Sequence, residues 1–257
     1  MFPVGLVIAV AAMSSGISSA NFWIPVYLLW LRLDPRTAFW VSLLTMLFGF
    51  GSGVYRNLVD GTIHWPLTRR YLAVSLPAAV AGALLSGRLN ADVLIALFSV
   101  YALIYGGFRV IRGVFPGKEP VRLHDRVFWG WGLVGGFLVG TVATGLGAVL
   151  FPLLAHHKKI VHHAQAVGSA IVVIFVCSFA SLMFRLDHRL VTALGEDLPL
   201  ISRILLFVIP GVLLGGQLGP RIAQKLPSRH MGIYVGFLLV FAGVLTFSRL
   251  LPLLAGG

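Results

Sequence analysis

The chain has 257 residues, 58% hydrophobic and 11% charged, with 30 glycines, 20 lysines and arginines against eight acids, and a mean hydropathy of +0.94. That composition excludes a sizeable soluble domain and describes an integral membrane protein. A net charge of +12 would suggest nucleic acid in a polar chain, but here the basic residues are expected to flank membrane spans on the cytoplasmic side, and no nucleic-acid partner is expected.

Taken in order, the first apolar segment, 4–31, is interrupted by Met13-Ser14-Ser15-Gly16-Ile17-Ser18-Ser19-Ala20-Asn21-Phe22-Trp23-Ile24-Pro25. Its start carries no basic side chain, so it is expected to stay in the mature protein rather than be removed as a signal peptide. Plain segments follow at 38–55, 71–87 and 91–108, then a polar connection over 114–126. A second interrupted segment covers 127–155, broken around Thr141 to Ala148, and plain segments return at 164–184, 198–220 and 231–248. Cys177 lies inside one of them and reads as a small core residue, since a lone cysteine has no intramolecular partner. Trp30, Trp40, Trp65, Trp129 and Trp131 fall near segment ends, as an interfacial belt requires, whereas Trp23 follows the first break and reads as packing.

The two halves match. Pro77-x4-Gly82-Ala83-x2-Ser86 corresponds to Pro210-x4-Gly215-Gly216-x2-Gly219, and the offset grows from 127 at Pro25/Pro152 to 133 at Pro77/Pro210. If both interrupted segments turn back, one side of the membrane receives seven basic residues (Arg32, Arg36, Arg88, Arg185, Arg189, Arg203, Arg249) and the other receives the remaining 13 of the 20. If all eight segments cross, the bias is smaller. The expected fold is therefore an all-α polytopic bundle of two inverted repeats, each an interrupted, re-entrant segment plus three transmembrane helices: residues 1–113, a connecting loop 114–126, and 127–257. Both termini are expected to face the periplasm.

Non-helical backbone at membrane depth persists only where protein or a watery cavity surrounds it. Ser14 to Asn21 can satisfy a broken helix, Gly16 permits a turn, and the amides opening each returning half-helix attract an anion. Two such breaks would face one another around a midplane site.

With this pattern the chain resembles the TauE/SafE family of sulfite exporters. Gly16-Ile17-Ser18-Ser19-Ala20 with Pro25, then Ala38-x3-Ser42, stand where that family has G-I-G-G-G, P and A-x-G-T-S; Thr144-Gly145-Leu146-Gly147 with Pro152, then Ala166-Val167-Gly168-Ser169, play those parts in the second half. The departures are Ser18-Ser19-Ala20 in place of a glycine triplet, and Leu146 in place of the second triplet's middle glycine; the two serines put hydroxyls where bare backbone would meet an anion. The resemblance implies export of sulfite, sulfoacetate or a related organosulfonate from the cell through the inner (plasma) membrane. Its expected partners are a small anionic substrate and the lipid bilayer, with the oligomeric state open and a homodimer one option.

Substrate-binding residues are expected at Ser14, Ser15, Gly16, Ser18, Ser19, Asn21, Ser42 and Thr45 in the first half, and at Thr141, Thr144, Gly145, Gln165 and Ser169 in the second. Arg203 joins them because an ionisable side chain at depth usually faces a cavity or partner, while Arg109 and Arg185, at segment ends, are expected to snorkel to the interface. No plain segment has an acid in its interior, so the usual carboxylate proton relay is missing. His156-His157-Lys158-Lys159-Ile160-Val161-His162-His163 reads as a basic loop, with a metal site or a pH-sensitive mouth as alternatives. Proton-coupled uptake of an organosulfonate or other small organic anion is the alternative to export. An intramembrane enzyme is the distant one, since no histidine lies within an apolar segment to serve Ser15 or Ser18 as base. No cofactor, no catalytic residue and no metal is expected.

Overall fold

The computed structural model describes residues 1–15, 17–115, 125–155, 157, 160, 163–223 and 228–250. The predicted connection 114–126 and the histidine cluster thus fall largely outside the described residues. Among those described there are ten α-helices and no strand: α1 (Phe2–Ser15), α2 (Ala20–Pro25), α3 (Pro35–Val59), α4 (Trp65–Ser86), α5 (Ala91–Val114), α6 (Asp125–Val142), α7 (Leu146–Ala155), α8 (His163–Phe184), α9 (His188–Ala223) and α10 (Ser228–Ser248). The two interrupted segments are helix pairs, α1/α2 and α6/α7, parted at the polar stretches that the sequence singles out.

Among the described residues four spans, Pro35–Val59, Ala91–Val114, Ala164–Phe184 and Leu190–Gly219, are long and apolar enough to cross a bilayer. Helix α9 departs from expectation. It begins at His188 rather than near 198, and its 36 residues run about 54 Å at 1.5 Å per residue, well beyond a hydrocarbon core of about 30 Å. Glu196 and Asp197 therefore lie within a helix, in its early turns, with Glu196 exposed.

Glycines explain how the helices meet. Lipid tails are as apolar as leucine, so helices associate in a membrane through close packing, which small residues permit. A Cβ on Gly211 would stand 2.5 Å from the Phe2 carbonyl oxygen, and one on Gly106 2.9 Å from that of Gly236. The registers give directions. Gly5 faces Val208, Ala9 faces Gly215 and Met13 faces Gly219, so α1 runs parallel to α9; Ser75 faces Gly136 and Ala79 faces Gly140, so α4 runs parallel to α6. By contrast α5 and α10 are antiparallel, with Gly113 against Ile233 and Leu103 against Gly243. So are α3 and α8: Trp40 Nε1 donates to Leu182 O at 3.2 Å, while Asn57 and Thr62 meet Gly168.

Arginines tie the ends of these helices. Arg36 donates to Gly87 O (3.2 Å) and Leu89 O (3.0 Å) and pairs with Asp187 at 3.4 Å, while Arg249 donates to Leu28 O at 2.8 Å. The opposite end is held by His64 N–H, which donates to Ser169 Oγ at 2.9 Å. Between them the core is filled by Trp23, Tyr27, Phe39, Phe50 and Phe98, all fully buried.

Candidate functional site

The first break lies between Ser15 and Ala20. Asn21 and Phe22 N–H close short turns onto Ser18 and Ser19 carbonyls, and Ser19 O also accepts from Trp23 N–H. Pro25 then ends α2, because it has no N–H for the Asn21 carbonyl four residues back. The chain continues as a π-helical turn over Val26–Trp30, a form often found at functional sites. Ser18 Oγ donates to Met46 Sδ at 2.8 Å, and Tyr27 and Thr45 share a 2.8 Å hydrogen bond. Thr45 and Met46 stand at the middle of the 25-residue α3, so the break lies level with the centre of a span.

The second break is a strained turn. Ala143 has φ +61° and Gly145 φ +102°, flanking Thr144; residues held in such conformations cluster at functional sites. A Cβ on Gly145 would also stand 2.9 Å from Leu138 Cβ, so glycine is required there twice over. Arg185 fixes the preceding helix end. Its Nε and Nη2 donate to Gly140 O at 3.1 and 2.8 Å, and Nη2 donates to Thr141 O at 2.6 Å, with the guanidinium 5.9 Å from the Phe39 ring centre. The expected snorkelling is thus corrected: Arg185 is 6% exposed and turns inward, because the carbonyls ending α6 need donors that lipid cannot provide.

The two breaks touch. Thr144 Oγ1 donates to Asn21 Oδ1, and both side chains are fully buried. The Tyr101 hydroxyl, from α5, reaches both members of this pair, though too loosely for a well-formed hydrogen bond. Trp23 stacks on Tyr27 with ring centres 5.2 Å apart. Asn21 Nδ2 and Trp23 Nε1 are buried donors with no acceptor among the described residues. Among the described residues the site therefore combines hydroxyls and unmet N–H groups with no carboxylate, a set suited to binding an acceptor-rich anion.

The remaining expected residues divide. Ser18, Ser19, Asn21, Thr45, Thr144 and Gly145 belong to the joined breaks. Ser42, Thr141 and Ser14 return their hydroxyls to their own helices, at Ala38 O, Phe137 O and Ala11 O. Ser169 is buried but serves the turn before α4, and Gln165 is half-buried near the start of α8. The side chain of Ser15 and all of Gly16 lie outside the described residues. Arg203 is a correction: it is exposed, because α9 buries Ile201, Ile204, Val208 and Val212 and the helical period turns residue 203 to the opposite face. Tyr27, Tyr101 and Arg185 were not among the expected residues. Hydropathy treats tyrosines in spans as packing, although Tyr101 and Tyr105, one turn apart in an apolar helix, are a readable signal.

A family model described as "Sulfite exporter TauE/SafE" matches residues 1–246, nearly the whole chain. The chain belongs to the TauE/SafE family. It is accordingly a transmembrane protein of a transporter family, in keeping with its apolar helices. No curated protein and no solved structure gives a match. Within this TauE/SafE chain, His157 is buried, and no group of three His, Cys, Asp or Glu side chains comes together among the described residues.

Proposed function

We propose that this protein exports a small sulfur-containing anion, sulfite or an organosulfonate such as sulfoacetate, across the inner (plasma) membrane, by alternating access at the joined breaks and without enzymatic chemistry. The observation that carries the reading is the Thr144–Asn21 contact, which unites two interruptions 123 residues apart in sequence into one buried polar centre.

Inverted repeats are part of the proposal. Exchanging α1–α5 with α6–α10 maps the α1/α9 contact onto α6/α4, and α3/α9 onto α8/α4. The pairs that would be self-related, α3/α8 and α5/α10, are antiparallel, as a two-fold axis in the membrane plane requires. A turning-back first segment is supported too. Helix α1 runs with α9, away from the end where Asp187 meets Arg36, while the chain after α2 returns to Leu28 and Arg36 at that end. Both termini are placed in the periplasm on this reading, with the 56–70 loop in the cytoplasm.

Energetically, outward movement of an anion is favoured by about 2.3 kcal/mol per charge per 100 mV with the interior negative, roughly a fiftyfold concentration ratio for a monoanion. No coupled ion is needed. We expect sulfite efflux from reconstituted vesicles, held at fixed pH on both sides, to rise as the interior is made more negative, and to carry net negative charge. Flux that ignores voltage and follows a pH gradient would instead favour proton-coupled uptake.

A further inference from the structure

We propose that one face of α5, formed by Tyr101, Tyr105 and Arg109, is an anion path that feeds the joined breaks; this rests on the reading of those breaks as the transport site. The three residues are spaced i, i+4, i+8 and so share a face over two turns, about 12 Å of helix. Their chemistry is graded along it. At the inner end the Tyr101 hydroxyl stands beside Asn21 and Thr144. The Tyr101 and Tyr105 rings stack nearly parallel, at 10° and 5.8 Å, so their hydroxyls follow one another along the face. Tyr105 packs against a buried cluster in which Ala12, Ile17 and Phe22, around the first break, meet Val235 and Leu239 of α10. At the outer end stands Arg109, one turn beyond Tyr105 on the same face.

Unmet donors mark the path. Among the described residues Asn21 Nδ2 and Arg109 Nε are buried without a well-formed hydrogen bond, the Tyr101 hydroxyl makes only loose contacts to Asn21 and Thr144, and no carboxylate pairs with Arg109. A guanidinium N–H and an amide NH₂ can only donate, and a phenol can donate, so what completes them is an acceptor. A sulfite or sulfonate group brings three acceptor oxygens and a negative charge, for which Arg109 has no partner among the described residues. Arg112, one turn nearer the helix end, differs: it is exposed and lies over the Phe108 ring at 5.1 Å.

The test is side-chain labelling in the full-length protein with Cys177→Ala as background. Tyr105→Cys should react with the anionic sulfonatoethyl methanethiosulfonate faster than with its trimethylammonium analogue. Adding Arg109→Gln should slow the anionic reagent about tenfold while sparing the cationic one, and adding Arg112→Gln should change neither. Failure of both reagents to reach Tyr105→Cys, or equal slowing of both by Arg109→Gln, overturns the path. A second arm uses sulfite and the melting temperature of purified protein. Tyr101→Phe, which removes one hydroxyl and keeps the ring, should raise the half-stabilising sulfite concentration about tenfold. Unchanged sulfite stabilisation in Tyr101→Phe, with stabilisation lost in Thr144→Leu, rejects the path and leaves the transport site standing. Labelling as expected, with stabilisation unaffected by Thr144→Leu, rejects the site instead and keeps α5 as an anion-accessible face.

Discussion

Gly145→Val is expected to reduce sulfite transport at least about a hundredfold. At φ +102° a β-branched residue is strained by about 1–3 kcal/mol, and its Cβ would stand 2.9 Å from that of Leu138. The turn must therefore shift, and Thr144, the neighbouring residue, shifts with it away from Asn21. In enzymes a displacement of about 1 Å at a positioning residue is enough for a hundredfold loss. Gly145→Ala carries the same φ penalty with a smaller side chain and should fall between Val and the native protein. Efflux from proteoliposomes, scaled to the amount of correctly inserted protein, measures both; wild-type flux in the Val variant would mean that the turn does not position the site.

Arg185→Leu should be the most destabilising single change near the site. It removes three hydrogen bonds and leaves the Gly140 and Thr141 carbonyls without those donors at the end of α6. At about 1–3 kcal/mol for each buried unsatisfied acceptor, the loss is about 2–6 kcal/mol, a large share of the stability of an ordinary domain. The positive charge also offsets the negative end of the α6 dipole. Arg185→Lys keeps that charge but not the planar fork that reaches two carbonyls, so it should recover only part of the loss. Melting temperature in detergent reads the series. A Leu variant as stable as the native protein would show that α6 ends without help from Arg185.

Much of this was legible in the chain. Serine, glycine, asparagine and proline inside apolar runs located both breaks, because polar groups and helix breakers persist at membrane depth only where protein or water satisfies the backbone they free. The repeat proposed above draws on Gly82 and Gly215, which lie at corresponding contacts, α4 with α6 and α9 with α1. The individual roles were harder. Ser42 and Thr141 look like cavity hydroxyls in sequence, yet a helix offers each the carbonyl four residues back. Arg185, expected at the interface, is buried, and Arg203, expected at the site, is exposed, for a geometric reason: depth along a helix is legible in a sequence, but which face a residue takes depends on neighbours that only the fold supplies. Asn21 and Thr144, by contrast, were both expected at the site; what the sequence could not show was that they bond to each other.

The most direct measurement is sulfite efflux from proteoliposomes bearing Thr144→Leu, beside the native protein and with folding followed by melting temperature. Leucine removes the hydroxyl that bonds Asn21 and fills the space where the breaks meet. The account predicts a folded variant whose sulfite flux falls to the leak of empty vesicles; a folded variant that moves sulfite at the native rate would contradict it.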